Sequence, residues 1–91
     1  MAASLEEIRH ALQSLEPANI ELTDDSHLHA GHAGAQSGGG HYRLRIVSAH
    51  FVGLNRLARQ RLVYDALHAL MQREIHALSM QTLTPAEANN P

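Results

Sequence analysis

Seventeen residues, Asp24 to Gly40, contain almost nothing that can be buried, and they divide the chain in two. Five of the six glycines fall in this stretch, among alanines, serines and the histidines His27, His29 and His32. Such a segment cannot join a core, and loops of this length in small domains are usually functional or disordered. The residues on either side must therefore bury all the apolar surface. Their hydrophobic period changes along the chain, and that change sets the fold class.

Before the loop, Leu5, Ile8, Leu12 and Leu15 recur at helical spacing behind a Ser4/Glu7 capping box, and Pro17 predicts a stop at about Leu15. The polar face of this helix carries Glu6, His10 and Gln13. Ile20 and Leu22 alternate with polar neighbours, which predicts a strand over 18–23. After the loop, Tyr42, Leu44 and Ile46 alternate with Arg43, Arg45 and Val47, a stronger strand over 41–48. Asn55 is a candidate N-cap, and the arginine-rich 55–61 reads as a short helix leading into a longer one. That longer helix has the apolar stripe Val63, Ala66, Leu67, Leu70 and Met71. A third strand over 75–80 is predicted to place His76, Leu78 and Met80 on one face and Ile75, Ala77 and Ser79 on the other. Thr84-Pro85-Ala86-Glu87 repeats the capping-box pattern and opens a final helical turn in the tail, 84–91. The order αββααβα predicts an α+β domain, with helices packed on one side of a three-stranded sheet.

Ninety-one residues make one small domain, 1–91, without room for a second core. The formal charge is −2, lysine is absent and all seven cations are arginines, so any contact with nucleic acid has to use a local patch. No apolar run reaches the ~18–20 residues of a spanning helix. The N-terminal residues lack the basic and apolar regions of a secretory signal. A soluble, cytoplasmic protein without membrane attachment is expected. Zero cysteine removes any disulfide framework. It also leaves the eight histidines as the principal candidate metal ligands, since imidazole binds metals and changes charge near neutral pH. Thiolates, where a soft metal needs them, have to come from a partner. There is no thiol nucleophile, no supported Ser/His/Asp arrangement and no phosphate-cradling glycine loop before a helix, so no catalysis is expected.

Several short segments in order identify the chain as similar to the BolA family: Asp24-Asp25-Ser26-His27, Gly40-His41-Tyr42-Arg43, Ile46-Val47-Ser48, Phe51-Val52-Gly53, Arg59-Gln60-Arg61-Leu62-Val63-Tyr64 and Ile75-His76-Ala77-Leu78-Ser79. The resemblance covers nearly the whole length. It implies an αββααβ fold like the type II KH domain, in agreement with the order above. It also implies partnership with a monothiol glutaredoxin in iron–sulfur cluster assembly, trafficking or sensing, and some members are described as DNA-binding transcriptional regulators. One position departs from the family pattern: the usual Arg-His-Arg reads Arg59-Gln60-Arg61.

Without the resemblance, His76 reads as a satisfied strand histidine. With it, His76 matches the family's C-terminal ligand. The second family ligand, cysteine or histidine, comes from the loop between the first two strands, so this chain resembles the histidine type. His29 falls nearest that ligand and His41 stands at the mouth of the second strand, with His27 and His32 as alternatives. Two imidazoles here, one glutaredoxin thiolate and one glutathione thiolate would complete a bridging [2Fe–2S] cluster. Histidine ligation raises the potential and makes binding pH-sensitive, because each ligand must be deprotonated. Asp24 and Asp25 read as a solvated turn, or else as carboxylates that orient a ligand imidazole. The protein alone is expected to be a monomer or weak homodimer.

Two rival readings stand beside it. Arg43, Arg45, Arg56, Arg59 and Arg61 read as a KH-like or helix-turn-helix surface for DNA phosphates, as a plain solvated face, or as a surface that docks an acidic face of the glutaredoxin. Against DNA stand the acidic net charge, the scarcity of stacking aromatics and the position of Gly31-His32-Ala33-Gly34 between strands rather than helices. The other rival is a zinc or nickel site built from His27, His29, His32 and His41. His10 and His68 read as surface partners of Glu6, Tyr64 and Asp65, and His50 carries no assignment.

Overall fold

The computed structural model describes residues 4–25, 40–73 and 75–89, apart from the side chains of Arg73 and His76. His27, His29 and His32 lie outside the described residues. Helix α1 spans Leu5–Leu12 and begins with the expected reciprocal cap: Glu7 N donates to Ser4 Oγ and Ser4 N to Glu7 Oε1, both at 3.1 Å. Ile8 and Leu12 are fully buried. The α-helix ends three residues before the expected stop, in a 3-10 turn, Gln13–Leu15, that still buries Leu15. Glu16 follows in the left-handed region (φ 46°) and ends the helical run ahead of Pro17.

The sheet contains β1 (Asn19–Asp24), β2 (Gly40–Val47) and β3 (Ile75–Leu83) in the order β1-β2-β3. β1 runs antiparallel to β2, with Ile20 opposite Ile46 and Leu22 opposite Leu44. β2 runs parallel to β3, with Tyr42 opposite Leu78 and Leu44 opposite Met80. Strict alternation sends Leu22, Tyr42, Leu44 and Ile46 into the core, with Leu78 and Met80 packed against it. The opposite face carries Glu21, Thr23, His41, Arg43, Arg45, Ser79 and Gln81. Ile75 departs from the expected pattern. It is buried in the core rather than sharing the polar face with Ala77 and Ser79. The cause is a register shift in which Gly40 pairs with Ile75 but His41 pairs with Ala77, so His76 is the extra residue of a bulge.

A parallel neighbour requires a crossover, and the helical segment between β2 and β3 supplies it. After β2, a 3-10 turn at Ala49–Phe51 buries Phe51 completely, and Gly53 (φ 79°) takes a backbone conformation that favours glycine. Helix α2 (Arg56–Ala66) starts where Asn55 Oδ1 accepts from Ala58 N at 2.9 Å. It runs straight through Arg61, so the expected short helix over 55–61 is the first part of one longer helix. The helix is interrupted instead at Leu67 (φ −99°, ψ 10°), before α3 (His68–Arg73). Helical backbone bonds continue across it, from Leu67 N to Val63 O and from Met71 N to Leu67 O, and Leu67 is buried at the junction. The stripe works as expected: Val63 and Leu67 are fully buried, and Ala66, Leu70 and Met71 pack against the core.

β3 runs three residues beyond its predicted end and stops at Thr84, which caps α4 (Pro85–Asn89) by a second reciprocal pair with Glu87. Ser48 joins three segments at this end of the sheet. Its buried hydroxyl donates to Leu15 O (2.6 Å) and accepts from His50 N (3.0 Å), while Ser48 N donates to Leu83 O. Among the described residues, no helix is long and apolar enough to cross a membrane.

Candidate functional site

The parallel pairing brings the starts of β2 and β3 together, with His41 opposite Ala77 and His76 immediately before it. Adjacent strands lie about 4.8 Å apart, so two histidines distant in sequence become neighbours in the sheet. The loop carrying His27, His29 and His32 leaves and returns at this same end, after Asp25 and before Gly40. His41, half-buried, belongs to the polar sheet face with Arg43 and Arg45. Of the five candidate ligand histidines, the structure describes the side chain of His41 and the backbone of His76. Among the described residues, no group of three or more histidines and carboxylates is placed to hold a metal ion.

Both roots of the loop are fixed. At the exit from β1, Asp25 is buried, which corrects the expectation of a solvated turn for this residue. Its backbone N–H donates to His41 O at 2.8 Å, extending the β1–β2 ladder by one residue. Its carboxylate accepts from Arg43 Nε and from Arg43 Nη2, the latter at 3.3 Å. The hydrogen bond to Asp25, reinforced by the charge attraction, raises the Arg43 guanidinium further above its ordinary value. At the return into β2, Gly40 is buried beneath the Tyr42 ring, and a Cβ at this position would overlap ring atoms. Pairing across β1 and β2 was readable in the alternation; the inward turn of Asp25 had no sequence signal beyond its place opposite the arginine strand.

The candidate phosphate-contacting arginines do not form one free surface. Arg43 is engaged by Asp25, and Arg45 Nη1 donates to Glu21 Oε2 at 3.2 Å. Arg59 points inward: Nε donates to Leu54 O (2.9 Å), Nη1 to Thr82 O (3.1 Å), and Nη1 and Nη2 to the Glu87 carboxylate (2.6 and 3.3 Å). These contacts lower the Glu87 carboxyl to about 2, chiefly through the hydrogen bond from Arg59 and then that from the Thr84 backbone. Arg56 and Arg61 are exposed on α2, without an ion pair among the described residues.

Of the remaining histidines, His10 is exposed, as expected. His68 is exposed too, and its ring lies 3.0 Å from Gln72 Nε2 rather than against Tyr64 or Asp65. His50, unassigned by sequence, places Nε2 3.0 Å from Glu16 Oε1, a contact between residues 34 apart.

These features define an αββααβ domain with a mixed sheet, a long loop between its antiparallel strands and histidines at the starts of its parallel pair. Residues 11–87 match the family model described as BolA-like protein, and the chain belongs to the BolA family. It is 42% identical over 86 residues to SufE-like protein 1, chloroplastic/mitochondrial, of Arabidopsis thaliana, covering 88% of this chain and 23% of that protein. It is 31% identical over 75 residues to the DNA-binding transcriptional regulator BolA of Haemophilus influenzae, covering 82% of this chain and 70% of that protein. The solved structure of BolA1 from Arabidopsis thaliana superimposes with a TM-score of 0.79 at 37% identity, covering 96% of this chain and 97% of that one. The chain also spans about half (53%) of the length of the chloroplastic BOLA1 protein of the same plant.

Proposed function

We propose that this chain is a non-enzymatic adaptor that binds a monothiol glutaredoxin and contributes imidazole ligands to a [2Fe–2S] cluster held between the two proteins. The observation that carries this reading is the strand register, which sets His41 beside His76 at the end of the sheet where the histidine-rich loop is rooted. His76 supplies one ligand, and His41 or His29 the other, with His27 and His32 as alternates. A chain without cysteine leaves the remaining ligands to the glutaredoxin cysteine and glutathione. When bound, the cluster supplies one-electron redox chemistry and a transferable iron–sulfur unit. This chain's residues hold one side of it, and their neutral imidazoles make release sensitive to acid. Two relatives carry organelle names.

His76→Ala should abolish the visible spectrum of the reconstituted heterodimer while far-UV circular dichroism shows the fold intact. An unchanged visible spectrum would sink the assignment. Replacing His29 and His41 singly then identifies the second ligand.

A second reading, DNA-binding regulation, draws support from the name of the Haemophilus influenzae relative and from the exposed Arg56 and Arg61. Arg43, Arg45 and Arg59 already have carboxylate partners, so the phosphate-contacting set on this reading centres on α2. A gel-shift titration across salt concentrations should show affinity falling steeply with salt. No shift at low salt would dismiss it.

A further inference from the structure

We propose that Asp25 and Arg43 form a positioning pair that fixes the His41 imidazole and the root of the histidine-rich loop. The inference builds on the reading of this end of the sheet as a ligand site. Asp25 closes a small ring of contacts across the end of the β1–β2 ladder. Its N–H holds the carbonyl of His41, and its carboxylate is held by Arg43, two residues further along β2. His41 and Arg43 share a sheet face, so the pair constrains the strand segment that carries the imidazole at both ends. The burial pattern supports positioning rather than surface decoration: the Asp25 side chain is 12% exposed, and the Arg43 side chain that satisfies it is 65% exposed. A buried carboxylate needs such a partner, and a guanidinium gripping it through two nitrogens fixes direction as well as distance. At the other root, the Tyr42 ring covering Gly40 limits where the strand can begin.

The pair never touches the ligand on this account; it acts through His41. Removing it should therefore loosen the imidazole without dismantling the core. In isotope-labelled protein alone, the ring Cε1–Hε1 signal of His41 should shift or broaden in Asp25→Asn and Arg43→Gln, while backbone signals of Phe51 and Val63 stay in place. Arg43→Lys keeps the charge but loses the two-nitrogen grip, and should fall between wild type and Arg43→Gln. In heterodimers with a monothiol glutaredoxin, reconstituted with iron, sulfide and glutathione, cluster loss to a chelator should accelerate about 10-fold in Asp25→Asn. The visible circular dichroism should change, while the unfolding midpoint of the protein alone stays unchanged. Should Arg43→Gln fail to fold, Asp25→Asn and Arg43→Lys carry the test. A His41 ring signal identical in wild type and Asp25→Asn overturns the positioning role. A wild-type heterodimer that takes up no cluster overturns the functional reading instead, and the ring signal of the protein alone still decides the pair.

Discussion

Two arginine–carboxylate pairs stand at opposite ends of the sheet, and they are built in opposite senses. At the end of β3, the cation is the enclosed partner: the Arg59 side chain is 14% exposed and Glu87 47%. Four donations from that guanidinium fasten α2 to the turn before it, to β3 and to α4. At the start of β2 the anion is enclosed and the cation faces water, and the contacts fasten the two roots of one loop. The first pair joins elements that would otherwise separate; the second leaves the core alone and orders a place where other groups gather. The same side-chain chemistry thus serves cohesion at one end and presentation at the other.

The largest expected effect is at the cohesive end. Arg59→Ala leaves Leu54 O and Thr82 O without this donor, at about 1–3 kcal/mol for each carbonyl that becomes buried and unsatisfied. Denaturant unfolding should show this loss, and Arg43→Ala should cost clearly less. Equal losses would erase the distinction between the two ends. Next comes Gly40→Ala, where the added methyl meets the Tyr42 ring and the buried tyrosine has little room to yield. A loss of about 1–3 kcal/mol is expected for such overpacking, together with altered His41 signals; an unchanged midpoint would show that the loop root is softer than its packing implies. The smallest effect is a pH dependence. Glu87 in the folded chain titrates at about 2, below its ordinary 4.5. A lowered carboxyl stabilises the fold at pH values above its unfolded value, and that contribution disappears as pH falls from about 4.5 through about 2. Wild type should therefore lose stability relative to Glu87→Gln across that window, and parallel acid titrations of the two proteins would contradict the pairing.

Much of the fold was legible because it follows from periodicity and from local hydrogen-bonding chemistry. Ser4 with Glu7 and Thr84 with Glu87 cap their helices reciprocally, and Asn55 begins α2. Tyr42, Leu44 and Ile46 face inward as their alternation requires. What could not be read was set by contacts distant in sequence. Ile75 turns into the core through a bulge that exists only because β2 lies beside it. Asp25 is drawn out of water by an arginine 18 residues away, and Arg59 is turned inward by a glutamate 28 residues away. Neither pairing leaves a trace in local spacing. For the candidate site, the residue types and the strand starts were readable, whereas the adjacency of His41 and His76 required the register.

That adjacency also has a consequence for folding. Gly40 and Ile75, which pair across the parallel ladder, are 35 residues apart, and both crossover helices lie between them. Closing such a contact depends on non-local assembly, the slow part of folding for chains of this kind. An unfolded or half-folded chain does not present these two histidines side by side. A metal centre held by both would bind the native state alone, and binding of that kind adds directly to the free energy of unfolding. Loss of such a centre would then register throughout the domain, including at the Arg59 clasp on its far side.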